Sequence, residues 1–252
     1  MSVVIIIPTY NEAENVIEVF QKVHAILPEA RVLFVDDNSP DGTRDSIKAL
    51  QETHPEAVAL LERDKKEGLG KAYVAGYTHA LKTWPEAQLF IQMDADLSHD
   101  PAYLPGMVEA AATADLVVAS RYVDGVSIVN WPLHRLIISK LGTAFARTVT
   151  GLPITDCTAG FKCYRREVLE AIGLDTIRSN GYVFQVETSF RAWRMGFRLV
   201  DFSIIFYERQ HGESKLNLSI ALEAFVIICR LGLQKLFMKP IRAKGVSAKP
   251  TP

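Results

Sequence analysis

Cysteine is scarce in this chain of 252 residues: Cys157, Cys163 and Cys229 are all there are, and no two form a C-x-x-C pair. An odd, unpaired set argues against a zinc site or a disulfide framework and fits a reducing compartment. Other absences narrow the field further. No G-x-G-x-x-G follows the first apolar run, and no G-x-x-x-x-G-K-[ST] occurs anywhere, which disfavours a hydride-transfer dinucleotide enzyme and a P-loop NTPase. No Ser/His/Asp or Cys/His constellation stands out, which argues against hydrolysis through a nucleophile. The chain shows no internal repeat and no Gly/Ser linker. Met1 runs almost directly into Val3-Val4-Ile5-Ile6-Ile7 without a basic leader or a small-residue cleavage site, so no signal peptide is expected.

What is present is ordinary in bulk, at 48% hydrophobic and 23% charged with 15 Gly and 12 Pro, so disorder and low complexity are excluded. The charge distribution is not ordinary. Residues 1–126 hold 10 Lys and Arg against 20 Asp and Glu, whereas residues 127–252 hold 18 against 9. Such a split points to something anionic facing the second half, nucleic acid or a phosphate-bearing lipid surface, unless the fold brings the halves together and cancels them.

Short apolar runs at 3–7, 31–35, 57–61, 89–93 and 116–119 alternate with helix-like segments at 12–26, 43–51, 69–83 and 103–112. Buried strands joined by helices of this length are the sequence form of β-α-β units. The expected fold class is therefore α/β, a Rossmann-like, mostly parallel, doubly wound sheet. Further helices are expected at 131–150 and 183–195, and further strands at 161–164 and 199–206. Between Leu218 and Met238, 15 of 21 residues are apolar, and Ser219, Glu223, Arg230 and Gln234 recur at intervals of 4, 7 and 4. That spacing makes one narrow polar stripe on a C-terminal amphipathic helix. Glu223 and Arg230 leave no uncharged run near the roughly 18–20 residues that would span a bilayer. The helix suits a membrane interface or a partner protein, with packing on the domain as the alternative. The tail after it, with Lys239, Arg242, Lys244 and Lys249 and no acid, suits anionic headgroups. Residues 1–215 are read as one domain and 216–252 as the docking extension.

Ligands of doubly wound sheets sit beyond the carboxyl ends of the strands, and three polar clusters follow three apolar runs there. They are Pro8-Thr9-Tyr10-Asn11-Glu12, then Asp36-Asp37-Asn38-Ser39-Pro40-Asp41-Gly42-Thr43, then Asp94-Ala95-Asp96-Leu97-Ser98-His99. In extended backbone, residues i and i+2 point to one side, so Asp94 and Asp96 can face one ligand. Hard oxygen donors of this kind suit Mg²⁺ or Mn²⁺ shared with a substrate phosphate. Asp37 is the better candidate for a ribose or base contact, and Asp41 for a helix cap. Gly68-Leu69-Gly70-Lys71 opens a helix. Arg121 follows a strand, and Glu208-Arg209-Gln210-His211-Gly212-Glu213-Ser214-Lys215 gathers basic residues suited to phosphate.

These three clusters resemble the family-2 glycosyltransferases with a GT-A fold. Narrower motifs resemble the dolichyl-phosphate (polyprenyl-phosphate) mannosyltransferases: Gly68-Leu69-Gly70, Ser120-Arg121-Tyr122, Gly160-Phe161, Gly181-Tyr182-Val183-Phe184-Gln185 and Gly212-Glu213-Ser214-Lys215-Leu216. The resemblance runs over about residues 3–216. It implies inverting transfer of mannose from GDP-mannose to a polyprenyl or dolichyl monophosphate. Carried over by position, Pro8, Tyr10, Glu12, Val35 and Asp37 hold the nucleoside. Asp94 and Asp96, with the Ala95 backbone beside them, hold Mg²⁺ or Mn²⁺ and the diphosphate, and Ser98 stands where some relatives place Gln as a further metal ligand. Arg121 and Arg135 grip the acceptor phosphate, while Arg209 and Lys215 neutralise the donor phosphates; Asp96, Arg121 and Arg135 carry catalysis. The resemblance also implies a peripheral protein on the cytoplasmic side of a membrane, a possible small membrane-anchoring subunit and no nucleic acid. Transfer of glucose or another sugar, or a catalytically silent binding subunit, are the alternatives. A phosphate monoester has its second pKa near ~6, so it needs positioning more than a general base; Glu187 is a candidate base for an acceptor that did need one, with an ordinary helix-surface carboxylate as the alternative.

Overall fold

The computed structural model describes residues 2–181, 183–207 and 218–237. Strands β1 (Val3–Thr9), β2 (Arg31–Asp36), β3 (Val58–Glu62), β4 (Leu89–Gln92) and β5 (Leu116–Ser120) alternate with helices α1 (Val16–Ile26), α2 (Thr43–Thr53), α3 (Leu69–Thr83) and α4 (Leu104–Ala110). There follow β6 (Ile128–Val129), α5 (Leu133–Thr150), β7 (Lys162–Arg165), α6 (Arg166–Ala171), α7 (Val183–Arg194), β8 (Leu199–Ser203), β9 (Phe206–Tyr207) and α8 (Leu218–Phe237). The main sheet runs in the order β3-β2-β1-β4-β7-β5-β8.

Period-2 alternation sorts the sheet into two apolar layers. Val4, Ile6, Leu33 and Val35 face one layer with α3, α5, α7 and α8. Val3, Ile5, Ile7, Val32 and Phe34 face the other with α1, α2 and α4. Because both faces are covered, β1 reads as the unbroken apolar run that a buried parallel strand needs. Ile5, Ile6 and Ile7 are fully buried, and each such burial contributes about 1.5–3 kcal/mol.

The expected α/β class and mostly parallel sheet hold, and one local expectation, the single strand over 199–206, is corrected. β7 runs antiparallel to both β4 and β5, whereas β1 pairs parallel with β2 and β4, and β5 with β8. The strand expected over 199–206 splits after Ser203, because Ile204 N–H turns to the Ser120 carbonyl and Ile205 N–H to the Tyr103 hydroxyl. β9 then leaves the main sheet to pair with β6.

Helix α8 packs back on the domain. Ile228 and Leu231 are buried in the layer it shares with α5 and α7, and Phe225 stacks on Phe145 at 5.3 Å. The polar stripe does not all face water: Glu223 Oε1 accepts from Asn180 N–H at 3.0 Å. Leu222, Phe225, Val226 and Leu233 stay more than half exposed, and on α5 so do Leu133, Ile138 and Leu141, with Ile137 close behind. Among the described residues no helix is long and apolar enough to cross a membrane.

Candidate active site

The carboxyl ends of β1 and β2 are knitted into one surface. Pro8 pairs with Val35 in register, and Asp37 N–H donates to the Thr9 carbonyl at 3.0 Å. Asp36 is spent structurally: it is fully buried and accepts from Thr9 Oγ1, Ser39 N–H and Ser39 Oγ. Asn11 and Asn38 take left-handed φ values of 58° and 61°, a conformation that Asn tolerates better than most residues. Asp41, expected to cap α2, instead precedes the N-cap position, which is Gly42, and accepts from the amide and hydroxyl of Thr43. Thr43 Oγ1 in turn accepts from Glu12 N–H at 2.9 Å, and Glu12 Oε2 accepts from Asn15 Nδ2. Tyr10 carries Lys66 Nζ 3.7 Å from its ring centroid. Asp37 is buried against Arg63; burial raises its carboxyl pKa despite that guanidinium.

Asp94 and Asp96 leave β4 in a turn where Leu97 adopts φ 60°. For a side chain branched beyond Cβ this is a strained position, which the surrounding bonds hold. Tyr73 donates to Asp94 Oδ1 at 3.0 Å and to the Met93 carbonyl at 3.1 Å. Burial and the neighbouring Asp94 charge raise the Tyr73 hydroxyl well above its usual pKa, so it remains a donor. Asp94 N–H donates to His99 Nδ1 at 3.0 Å, which leaves the imidazole proton for Nε2, 4.0 Å from Asp94 Oδ2. Asp96 Oδ1 accepts from Ser98 N–H and, at 2.6 Å, from Ser98 Oγ. Ser98 therefore orients Asp96 directly. Gly160 lies opposite: a Cβ there would stand 3.3 Å from His99 and 3.7 Å from Asp94 Oδ2, so the missing side chain keeps the space beside the carboxylate open.

The donor set is two hard carboxylates, and among the described residues no cluster of three metal-ligating side chains exists. That is the pattern of a Mg²⁺ or Mn²⁺ site completed by substrate phosphate oxygens and water. The residues fit the ion on that condition.

Arg121 is fixed from behind. Its Nε donates to Asp156 Oδ2 at 2.6 Å and its Nη2 to Asp156 Oδ1 at 2.9 Å. Burial alone would raise the fully buried Asp156, but Arg121 outweighs it and holds the carboxyl below its usual range. The loop carrying Asp156 is itself tied down, with Thr155 N–H donating to Asp201 Oδ2 at 2.9 Å. Arg121 and Arg135 both approach the Trp131 ring, at 5.4 and 4.1 Å from its centroid. The indole Nε1–H of Trp131 is buried without a partner among the described residues.

A cavity of about 610 Å³ joins these parts. Asp94, Asp96, Ser98 and His99 line one side, and Arg121, Trp131 and Arg135 another. Ile138 and Phe145 of α5 with Ala224, Phe225 and Ile228 of α8 form an apolar wall. The nucleoside candidates Pro8, Tyr10, Glu12, Val35 and Asp37 are not among its lining residues; they hold the neighbouring strand ends. Ala95 is buried within the turn. Arg209 and Lys215 lie outside the described residues.

Glu187 does not stand as a base: it is buried and ion-paired with Arg191 Nη2 at 2.5 Å. Gly68 and Gly70 serve packing, since a Cβ on either would meet Asn180 or the Ser179 carbonyl at 2.4–2.5 Å. Burial pushes the Cys157 and Cys163 thiols up to about 12, which leaves them unreactive. Sequence reasoning missed Asp156, and it met Gln185 only as a letter in a motif.

Residues 4–173 match the model of glycosyl transferase family 2. The chain is 46% identical over 233 residues to the undecaprenyl-phosphate mannosyltransferase of Micrococcus luteus, covering 92% of this chain and 95% of that protein. It is 41% identical over 243 residues to the polyprenol monophosphomannose synthase of Mycolicibacterium smegmatis, covering 96% and 90%. Among solved structures, a mannosyltransferase from Pyrobaculum calidifontis in complex with GDP-Man and Mn²⁺ superposes with a TM-score of 0.56 at 19% identity, over 93% of this chain and 73% of that one. At that identity the last likeness speaks for the GT-A-like fold alone.

Proposed function

Because the chain belongs to glycosyl transferase family 2, we propose that it moves mannose, with inversion, from GDP-mannose to a polyprenyl (dolichyl) monophosphate at a membrane surface. One observation carries the reading: a single cavity is lined by the Asp94 and Asp96 carboxylates, by Arg121 and Arg135, and by apolar side chains of α5 and α8. A metal-bound nucleoside diphosphate, a monophosphate and a lipid chain need those three environments together. The relatives at 41% and 46% identity, whose names state transfer of mannose to such lipids, support the choice of sugar and acceptor.

In this mechanism Pro8, Tyr10, Glu12, Val35 and Asp37 seat the nucleoside. Asp94 and Asp96 hold Mg²⁺ or Mn²⁺, which when bound offsets the charge gathering on the departing diphosphate. Ser98 and Tyr73 keep those carboxylates oriented, and Arg209 and Lys215 neutralise the donor phosphates. Arg121, aligned by Asp156, and Arg135 hold the acceptor phosphate, with the Trp131 N–H as a further donor for its oxygens. An acceptor oxygen forms the new bond to the anomeric carbon from the face opposite the diphosphate, the old carbon–oxygen bond breaks, and GDP leaves. With a second pKa near ~6 the monoester is already largely a dianion at neutral pH, so no side chain needs to remove a proton. The exposed residues Leu133, Ile137, Leu141, Leu222, Val226 and Leu233 are the face we assign to the cytoplasmic membrane interface. A small membrane subunit is a compatible partner for the same face, and nucleic acid is not.

The test is transfer of labelled sugar into an organic-extractable lipid, comparing GDP-mannose with UDP-glucose on polyprenyl phosphate with Mg²⁺ or Mn²⁺. Mannose incorporation abolished by EDTA is the expected result. Glucose incorporation would overturn the donor, and metal-independent transfer would overturn the role of Asp94 and Asp96.

A further inference from the structure

Gln185 sits in the first turn of α7 and lines the cavity with Asp94, Asp96 and Gly160. Its side chain is almost wholly buried, at 1% exposure. Its Oε1 has no hydrogen-bond partner among the described residues. Burying an acceptor without a partner is costly, so such an atom in a binding cavity calls for a donor from the ligand. The main chain of the same residue is firmly held: Lys162 Nζ donates to the Gln185 carbonyl at 2.6 Å and to Ser189 Oγ at 2.9 Å. An amide carried on a pinned helical turn is a preorganised contact, since little freedom is left to lose on binding.

The chemistry of the orphan selects the ligand group. Ionised phosphates offer acceptors only and cannot satisfy a carbonyl oxygen. Lipid chains offer neither donor nor acceptor. A sugar hydroxyl can donate, so it meets the Oε1 acceptor that phosphate oxygens and lipid chains cannot. We infer that Gln185 reads the transferred sugar, its carboxamide hydrogen-bonding one hydroxyl of the donor's hexose ring and so setting which sugar the enzyme moves. The inference deepens the proposed function and rests on the transfer of a sugar from a nucleotide donor.

The experiment uses the full chain as wild type, Gln185→Met and Gln185→Leu, each checked for thermal stability. Removing an orphan acceptor should leave the melting temperature unchanged or higher. Affinities for GDP and GDP-mannose, and for UDP and UDP-glucose, are measured by calorimetry with Mn²⁺. kcat/KM is then measured for the parent sugar donor and its monodeoxy analogues. In the wild type, one monodeoxy donor should fall about tenfold or more below the parent, the loss of one hydrogen bond in a buried site. In both variants that donor and the parent should become equal, while affinity for the bare nucleoside diphosphate stays within about twofold. The inference is overturned if no analogue couples to the substitution. It is equally overturned if affinity for the bare diphosphate falls in parallel, which would make Gln185 a metal, diphosphate or structural contact. The binding arm separates this failure from that of the proposed function. A nucleotide sugar that gains affinity over its diphosphate only when Gln185 is present, without transfer, refutes the transferase reading and leaves Gln185 as the sugar contact.

Discussion

Replacing Asp156 by Asn removes one negative charge and almost no volume, from a carboxylate that is fully buried. Its partner Arg121 is 9% exposed and forks onto it through bonds of 2.6 and 2.9 Å. The pair gains little over a well-packed apolar pair of the same volume, but losing one member strands the other charge in a site with little water. That situation costs about 3–5 kcal/mol, a large part of the roughly 5–15 kcal/mol that holds a domain folded. Asp156→Asn should therefore lower the urea midpoint sharply, whereas adding Arg121→Met to it should recover most of the loss. The sign with pH follows from the depressed Asp156 pKa: the pair's contribution is present above the unfolded carboxylate value and is lost as pH falls through the folded one. The deficit of the Asn variant should therefore narrow only in strong acid. In transfer assays the same variant should raise the acceptor KM more than the donor KM, because Arg121 loses its alignment. A single-variant cost below about 1 kcal/mol, or two substitutions that simply add, would refute the coupling on which this reasoning stands.

Lys162 is fully buried and its pKa is lowered from 10.5 to about 7 by burial. Between those values the unfolded chain holds more protons, so wild-type stability should rise with pH relative to Lys162→Met, by a total on the order of 5 kcal/mol; urea unfolding at pH 7 and pH 10 checks this, and a flat difference refutes it. Asp96→Ala should abolish transfer and metal-dependent GDP binding while circular dichroism stays that of the folded chain; wild-type turnover in this variant would remove the metal assignment. Deleting residues 217–252 should cut transfer to long-chain lipid in vesicles more than transfer to a short detergent-soluble acceptor, but it also strips Ile228 and Leu231 from the core. Combined Leu222→Ser, Val226→Ser and Leu233→Ser substitutions touch only exposed positions and should reproduce the selective loss; equal losses on both acceptors would refute docking through this face.

The strand-end clusters were legible because apolar runs of strand length stop abruptly at polar residues, and a doubly wound sheet turns every such stop toward one crevice. Asp94 and Asp96 were paired from an i and i+2 spacing in extended backbone, but β4 ends at Gln92, so it is the turn after it that brings both to one cavity. The direction of β7 could not be read, since Lys162 to Arg165 would show the same apolar content running either way. Asp156 was invisible for a different reason. It lies in an irregular loop, with no periodicity to place it, and its partner Arg121 is 35 residues earlier in the chain. Lys162 looks like an interruption of a strand until Gln185 and Ser189 are brought over it from α7. The spacing of the polar residues of α8 suggested one solvent-facing stripe, yet Glu223 turns inward, where its Oε1 accepts from the Asn180 amide.

The Asp156 pairing also changes what the basic side of the cavity offers. The excess of acid in residues 1–126 and of base in 127–252 suggests two charged surfaces, but the chain as a whole carries only −1. The structure brings the two halves together, with Asp94 and Asp96 from the first and Arg135 from the second around one cavity. Arg121 arrives there already matched by Asp156, so it contributes aimed donors more than net charge, and Arg135 lies over Trp131, 4.1 Å from its ring centroid. Two free guanidinium groups would attract a donor diphosphate as readily as an acceptor monophosphate. A fork already matched by its own carboxylate holds an anion through aimed hydrogen bonds more than through net charge. On the proposed function, this arrangement favours an acceptor monophosphate over a donor diphosphate that arrives without its cation.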